Sequence, residues 1–220
     1  MWFCTIIVFI AGCREHQLPL SARVTAINQK LGGVGELSVI EAPSNQQLVL
    51  IEFNDLPSAQ VLNEASGLAQ SFDCDVSLRQ FTDPEKIVLL VAAFNSSSIN
   101  IIDSDISPLV RRGVGPAYKN NNTGSQRGLK IVTSKLDANF LANLIESQGS
   151  TLRSILLNTC EIRFTEEGHV NAEAILLIKF FNCKSTGDGH ILSGPLMDLE
   201  FEKCADDFGT RFVQSNQDTE

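Results

Sequence analysis

The sequence predicts an α+β protein made of two small mixed lobes, and three observations lead there. Some segments place apolar residues at helical spacing, as Val61, Leu62, Ala65, Leu68 and Ala69 do, while others alternate or run apolar without a break. A polar stretch rich in serine, asparagine and glycine, Asn95 to Gly128, separates two better-patterned halves. The chain of 220 residues is 43% hydrophobic and 20% charged, a composition that supports a packed core and excludes wholesale disorder.

The elements follow in order. Val24, Ile27 and Leu31 predict a helix from Ser21, stopped by Gly32-Gly33, and Glu36–Glu41 reads as a strand. Leu48–Phe53 is apolar on both faces, as a central strand is. Pro57-Ser58 opens a helix that carries the Val61 stripe to Phe72. Cys74, Val76 and Leu78 then alternate with Asp75, Ser77 and Arg79, which predicts a half-buried strand. After Asp83-Pro84, Ile87–Phe94 is apolar throughout and reads as a second central strand. Central strand, helix, half-buried strand and central strand together predict a first lobe of ferredoxin-like, split β-α-β type.

The second half starts with a strand at Leu129–Thr133. The pattern Ser134-Lys135-Leu136-Asp137 then predicts a capped helix burying Phe140, Leu141, Leu144 and Ile145. Ile155–Phe164, Val170–Cys183 and Ile191–Leu199 follow as a three-stranded antiparallel meander, and a C-terminal helix carries Phe201, Cys204, Ala205, Phe208 and Phe212.

The net charge of −9 lies entirely beyond residue 13. Such an acidic body repels phosphate backbones and anionic headgroups, which excludes nucleic acid as a partner. Trp2–Ile10 is an apolar run too short for a helix to span a bilayer, and it ends in the small pair Ala11-Gly12, as a signal-peptide core ends at its cleavage site. The residues Ile10-Ala11-Gly12-Cys13 resemble the lipobox of bacterial lipoproteins. That resemblance covers the first 13 residues and implies cleavage before Cys13, lipidation of its thiol and, with Arg14 following, outer-membrane sorting facing the periplasm. Two other readings remain open: a buried first strand, and a secreted eukaryotic protein with glycosylation triplets at Asn95 and Asn121. The expected division is then a signal peptide at 1–12, a lipidated tether at 13–20, an N-terminal lobe at 21–95 and a linker at 96–128. A C-terminal lobe at 129–215 and a tail at 216–220 complete it.

Cys74, Cys160, Cys183 and Cys204 are an even number without C-x-x-C spacing, so an exported chain predicts two disulfides. Four buried free thiols in a cytosolic protein is the alternative. In the antiparallel meander Cys160 and Cys183 point to opposite faces, which predicts Cys160–Cys204 and Cys74–Cys183.

No cofactor or metal spacing occurs. His16, His169 and His190 lie in the tether or at turns, and Glu161, Glu166, Glu167 and Glu173 surround one hairpin. Gly113-Val114-Gly115 precedes Pro116 and a polar run, where no phosphate-binding helix starts. Arg111, Arg112, Tyr118, Lys119 and Arg127 form a cationic loop on an acidic chain and are the candidate binding residues, toward an acidic partner or a glycan. Leu176–Asp188, a strand running into a polar turn, is similar to the closing segment of several outer-membrane assembly lipoproteins, which implies an assembly or tethering role. The resulting expectation is a non-enzymatic envelope lipoprotein with an envelope protein partner, held to the membrane by its lipid. A periplasmic glycan- or small-ligand-binding module is the first alternative, and a hydrolase whose residues meet only in three dimensions is the second.

Overall fold

A computed structural model describes residues 18–41, 47–94, 97–107, 128–148, 152–165, 167–170 and 176–214. The first helix, α1 (Leu20–Leu31), buries Leu20, Val24, Ile27 and Leu31 and ends on Gly32, whose φ of 59° is the left-handed conformation that glycine adopts at little cost. β1 (Gly35–Glu41) returns antiparallel to β2 (Gln47–Phe53).

From β2 onward the chain winds as a series of coils whose strands pair in parallel. α2 (Ala59–Ala69) is capped by the Ser58 hydroxyl, which accepts from the Val61 N–H at 3.4 Å, and leads to β3 (Asp73–Arg79). α3 (Pro84–Ala93) leads to β4 (Ser98–Ile102), followed by the short β5 (Asp105–Ile106). β6 (Gly128–Val132), β7 (Lys135–Asp137) and α4 (Ala138–Gln148) form the next coil. Three further coils follow, in which strands replace helices. They are β8 (Ser154–Asn158), β9 (Glu161–Arg163) and β10 (Glu167–Val170); then β11 (Leu176–Phe181), β12 (Lys184–Thr186) and β13 (His190–Ser193); then β14 (Met197–Glu202), a 3-10 turn (Gly209–Arg211) and β15 (Phe212–Gln214).

The first strands of all coils form one long sheet in the order β1-β2-β3-β4-β6-β8-β11-β14, parallel except for β1. Ile51, Val76, Ile99, Leu129, Ile155, Ile178 and Leu199 share one register position, so a coil takes about 21–30 residues, the period of a solenoid. A second sheet runs β5-β7-β9-β12 and a third β10-β13-β15. Inward columns such as Phe53, Leu78, Ile101, Ile131, Leu157 and Phe180 fill a single core that runs the length of the stack.

The bend between the first and second sheets has one cause, repeated. Gln80, Asp103, Thr133, Thr159, Asn182 and Lys203 each follow a strand of the long sheet by one residue, and each has φ between 47° and 58°. Left-handed backbone at a non-glycine residue costs about 1–2 kcal/mol. The first five of these turns are held by the next coil: Gln80 N–H donates to Ile102 O at 3.1 Å, Asp103 N–H to Val132 O at 3.1 Å and Thr133 N–H to Asn158 O at 3.0 Å. Thr159 N–H donates to Phe181 O and Asn182 N–H to Glu202 O, both at 2.9 Å.

The mixed α and β content agrees with the expected class, but the lobes do not. A ferredoxin-like arrangement requires antiparallel neighbours and an edge position for the half-buried strand; β3 instead lies between β2 and β4, parallel to both. Ile87–Phe94, expected as a strand, is the helix α3. Pro84 occupies its first turn and Asp83 accepts from Glu85 N–H at 2.9 Å, while Ile87, Val88, Leu90 and Val91 are buried. A fully apolar run fits a buried helix and a buried strand equally, and the cap decides it here. The expected linker at 96–128 contains β4, which pairs on both sides, so one sheet crosses the expected lobe boundary. The expected meander is parallel: Thr159 bends Ile155–Phe164 into β8 and β9 on different sheets. In place of the expected last helix stand β14, the 3-10 turn and β15. The leader, Cys13, His16 and the tail lie outside the described residues.

Candidate functional site

The cysteines serve the stack rather than cross-links. From the β4 coil onward, the residue three after Ile101, Ile131, Leu157, Phe180 or Phe201 points back into the bend and meets backbone groups of two coils. Ser104 Oγ accepts from Phe81 N–H at 3.2 Å and donates to Ile102 O at 3.1 Å; Ser134 Oγ accepts from Ser104 N–H at 3.2 Å and donates to Val132 O at 2.9 Å. In the next three coils sulfur takes the same place. Cys160 Sγ lies 3.4 Å from Ile131 O and receives the Ser134 N–H. Cys183 Sγ lies 3.6 Å from Leu157 O and receives the Cys160 N–H, and Cys204 Sγ lies 3.5 Å from Phe180 O and receives the Cys183 N–H.

None of the four described cysteines is in a disulfide, so the expected bonds Cys160–Cys204 and Cys74–Cys183 are not formed. Parallel stacking places Cys160 beside Cys183, the pair that an antiparallel register had kept apart, and puts Cys183 between Cys160 and Cys204. Cys74 sits on β3, four strands from β11, beyond disulfide reach of Cys183. The Cys160–Cys183 contact, together with burial, pushes the Cys183 thiol far up, and burial raises the half-buried Cys204 thiol.

The outward face of the long sheet holds a recess. Register aligns Ser98, Gly128 and Ser154 side by side on β4, β6 and β8, so three adjacent strands carry almost no side chain at that level. They floor a depression of about 420 Å³. One pleat along, Asn100, Lys130, Leu156 and Lys179 stand in a row and form its wall, and Leu177 closes the far corner. Gly128 has a φ of 145°, a conformation side-chain-bearing residues rarely adopt, so the open floor and the backbone there depend on the same glycine.

The two ammonium groups differ. Lys179 is held by Glu200 at 2.5 Å, and that hydrogen bond raises its pKa above the usual lysine value. Lys130 forms no ion pair among the described residues. Around this centre the same face is predominantly acidic, with Glu36, Asp75 and Glu52 (paired to Arg79) toward one end and Asp198, Glu200 and Glu202 at the other. Two lysines, two serine hydroxyls, an amide and apolar walls line the recess, with no described carboxylate, imidazole or thiol among them. Such a set can hold an anion or a carbonyl against apolar surface, but it pairs no nucleophile with a base.

The remaining expected candidates disperse. Arg111, Arg112, Tyr118, Lys119 and Arg127, with Gly113-Val114-Gly115, lie outside the described residues. Glu161 and Glu167 fall on different sheets, β9 and β10, while Glu166 and Glu173 are outside the description. His190 stands beside a turn as expected, at the first residue of β13, but that turn joins no hairpin because β13 pairs in parallel. Among the described residues no group of three or more metal-ligating side chains converges, and no helix is long and apolar enough to cross a membrane. The recess was missed because its floor is a row of absent side chains, which becomes visible only once the coil repeat aligns residues 98, 128 and 154. No protein-family model matches the chain, and searches of curated proteins and of solved structures found no match.

Proposed function

We propose that the chain is a non-enzymatic recognition scaffold that holds a segment of a partner protein, rich in acidic and apolar residues, across the recess over β4, β6, β8 and β11. The spacing of its coils, seen in Leu129-x-Ile131-x-x-Ser134-x-Leu136 and Ile155-x-Leu157-x-x-Cys160-x-Ile162, follows the leucine-rich-repeat pattern. The observation that carries the reading is Lys130, without an ion pair among the described residues, beside the bare floor Ser98–Gly128–Ser154 on a predominantly acidic face. A carboxylate of the partner meets Lys130, its backbone carbonyls meet the floor hydroxyls, and Leu156 and Leu177 take apolar side chains. The recess has no aromatic platform in its lining, which favours a polypeptide over a glycan.

The test is a photo-crosslinking amino acid at Asn100 in living cells. A discrete protein adduct that disappears with Lys130→Glu, at unchanged folding, is expected. No adduct, or one indifferent to the charge reversal, refutes the proposal.

An address in the cell envelope, with Cys13 lipidated and the body acting as an assembly or accessory factor, remains a companion proposal. It rests on Ile10-Ala11-Gly12-Cys13 alone, because the cysteines that had supported export now have a structural use as thiols. Intact-mass analysis of membrane-fractionated protein tests it: a mature chain starting at an acylated Cys13 is expected, and a retained Met1 refutes it.

A further inference from the structure

The two ends of the stack differ. At the start, α1 packs on the antiparallel β1 and closes the solenoid, and Leu37 of β1 is buried. At the other end β14 is the last strand of the long sheet among the described residues and pairs there with β11 alone. Its inward column ends only partly covered: Phe180 is 1% exposed, whereas Phe201, one coil on, stacked on it at 5.2 Å and packed against Phe208 and Phe212, is still 40% exposed. Leu196 at 41% and Val213 at 43% belong to the same coil, so three of the five large exposed hydrophobic residues described lie at this end. On the outward side the same strand presents Asp198, Glu200 and Glu202, all exposed.

We infer that this end is a docking edge for an extended segment of a partner protein that alternates basic and apolar residues and adds to the long sheet as a strand beside β14. A strand at the end of a sheet offers a row of backbone N–H and C=O groups to an incoming chain. Side chains of the added strand alternate between faces, so one set covers Phe201 and Leu199 and continues the core column. The other set meets Asp198, Glu200 and Glu202, and that set must be cationic. The protein already shows the pairing one strand inward, where Lys179 on β11 meets Glu200 at 2.5 Å. A second copy of this chain does not suit the edge: with the Phe201 faces together, its own Asp198, Glu200 and Glu202 stand opposite these same carboxylates, and directly opposed like charges repel.

The probe is an eight-residue peptide alternating lysine and valine, titrated onto the full chain by fluorescence anisotropy. Three controls accompany it: the glutamate–valine counterpart, the lysine–valine peptide N-methylated along one backbone edge, and the double variant Asp198→Lys/Glu202→Lys. The lysine–valine peptide is expected to bind, with about tenfold or greater weakening for the methylated peptide and for the double variant. Both substitutions are on exposed side chains, so folding is retained. Amide exchange is expected to slow at β14, and Lys130→Glu is expected to leave this binding unchanged, which separates the edge from the recess. Equal binding of the glutamate–valine peptide, undiminished binding of the methylated one, or no binding at all overturns the inference. So does a dimer of the free chain that buries Phe201 in sedimentation and footprinting.

Discussion

Replacing Cys183 by alanine strips one rung from the ladder that joins the last coils. The Sγ atom accepts the Cys160 N–H and lies 3.6 Å from Leu157 O and 3.5 Å from Phe181 O, in a site 2% exposed. Loss of the sulfur from the core costs about 1 kcal/mol, comparable to a buried methylene. Leaving a buried N–H without an acceptor adds about 1–3 kcal/mol, toward the lower end because a thiol is a weak acceptor. Cys183→Ala is therefore expected to lose about 2–3 kcal/mol. Cys183→Ser is expected to lose less than half of that, because Ser104 and Ser134 already perform the task in earlier coils with an oxygen. Urea unfolding followed by far-ultraviolet circular dichroism, under reducing conditions at pH 7, measures both. A loss below about 0.5 kcal/mol for the alanine variant, within the range of an ordinary surface change, would refute the ladder as a source of stability. So would a serine variant as damaged as the alanine one.

At Gly187 the φ is 82°, and an added Cβ would stand 2.0 Å from Phe164 O; Gly187→Ala is expected to cost about 3 kcal/mol and lower the thermal midpoint by roughly 6–12 °C in calorimetry. Gly128→Ala both strains the backbone and fills the floor of the recess, so it is expected to lower the thermal midpoint and abolish the Asn100 crosslink together; retention of the crosslink would argue against the recess. Native maleimide labelling with mass mapping is expected to modify half-buried Cys204 well before Cys74, Cys160 and Cys183, and a reversed order would contradict the packing. The Lys86 ammonium, 2.6 Å from Asp55, and then the Leu56 N–H hold the Asp55 carboxyl below its usual value near 3.8, while Asp55 raises the Lys86 pKa above 10.5. Folding therefore gains from this pair between those limits, and the gain fades as pH falls through the lowered carboxyl value or rises through the raised lysine value. A small difference in urea midpoint between the wild type and Lys86→Met is expected at pH 7 and is expected to vanish by pH 2 (persistence there would refute the linkage).

Several elements were legible before any coordinates. Val24, Ile27 and Leu31 with Gly32-Gly33 marked α1, Ser58 marked the start of α2, and the alternation around Cys74 marked β3. The failures share a cause. Ile87–Phe94 was ambiguous because a run buried on all sides carries no period. Ile155–Phe164 looked like one strand because its bend is made by Thr159, a residue without the usual turn signature. The coil repeat was nonetheless written in the chain, as an apolar pair two residues apart followed three residues later by Ser104, Ser134, Cys160, Cys183 or Cys204. Reading those positions as a column would have shown the cysteines to be equivalent to serines, and the expected disulfides would not have arisen. The recess needed that column as well, since only the register sets Ser98, Gly128 and Ser154 abreast.

Local pattern by itself determined which short stretches become helices or strands, and the acidic balance of the chain, because caps, periodicity and charge act over a few residues. Tertiary structure decided that the strands run parallel, that sulfur and hydroxyl groups line up in one ladder, that a bare floor opens beside Lys130, and that Phe201 on the last described strand stays partly exposed. Each of those depends on hydrogen bonds and contacts between coils some twenty to thirty residues apart. Such pairings cost chain entropy before they return any energy, so they form only when successive coils stack together.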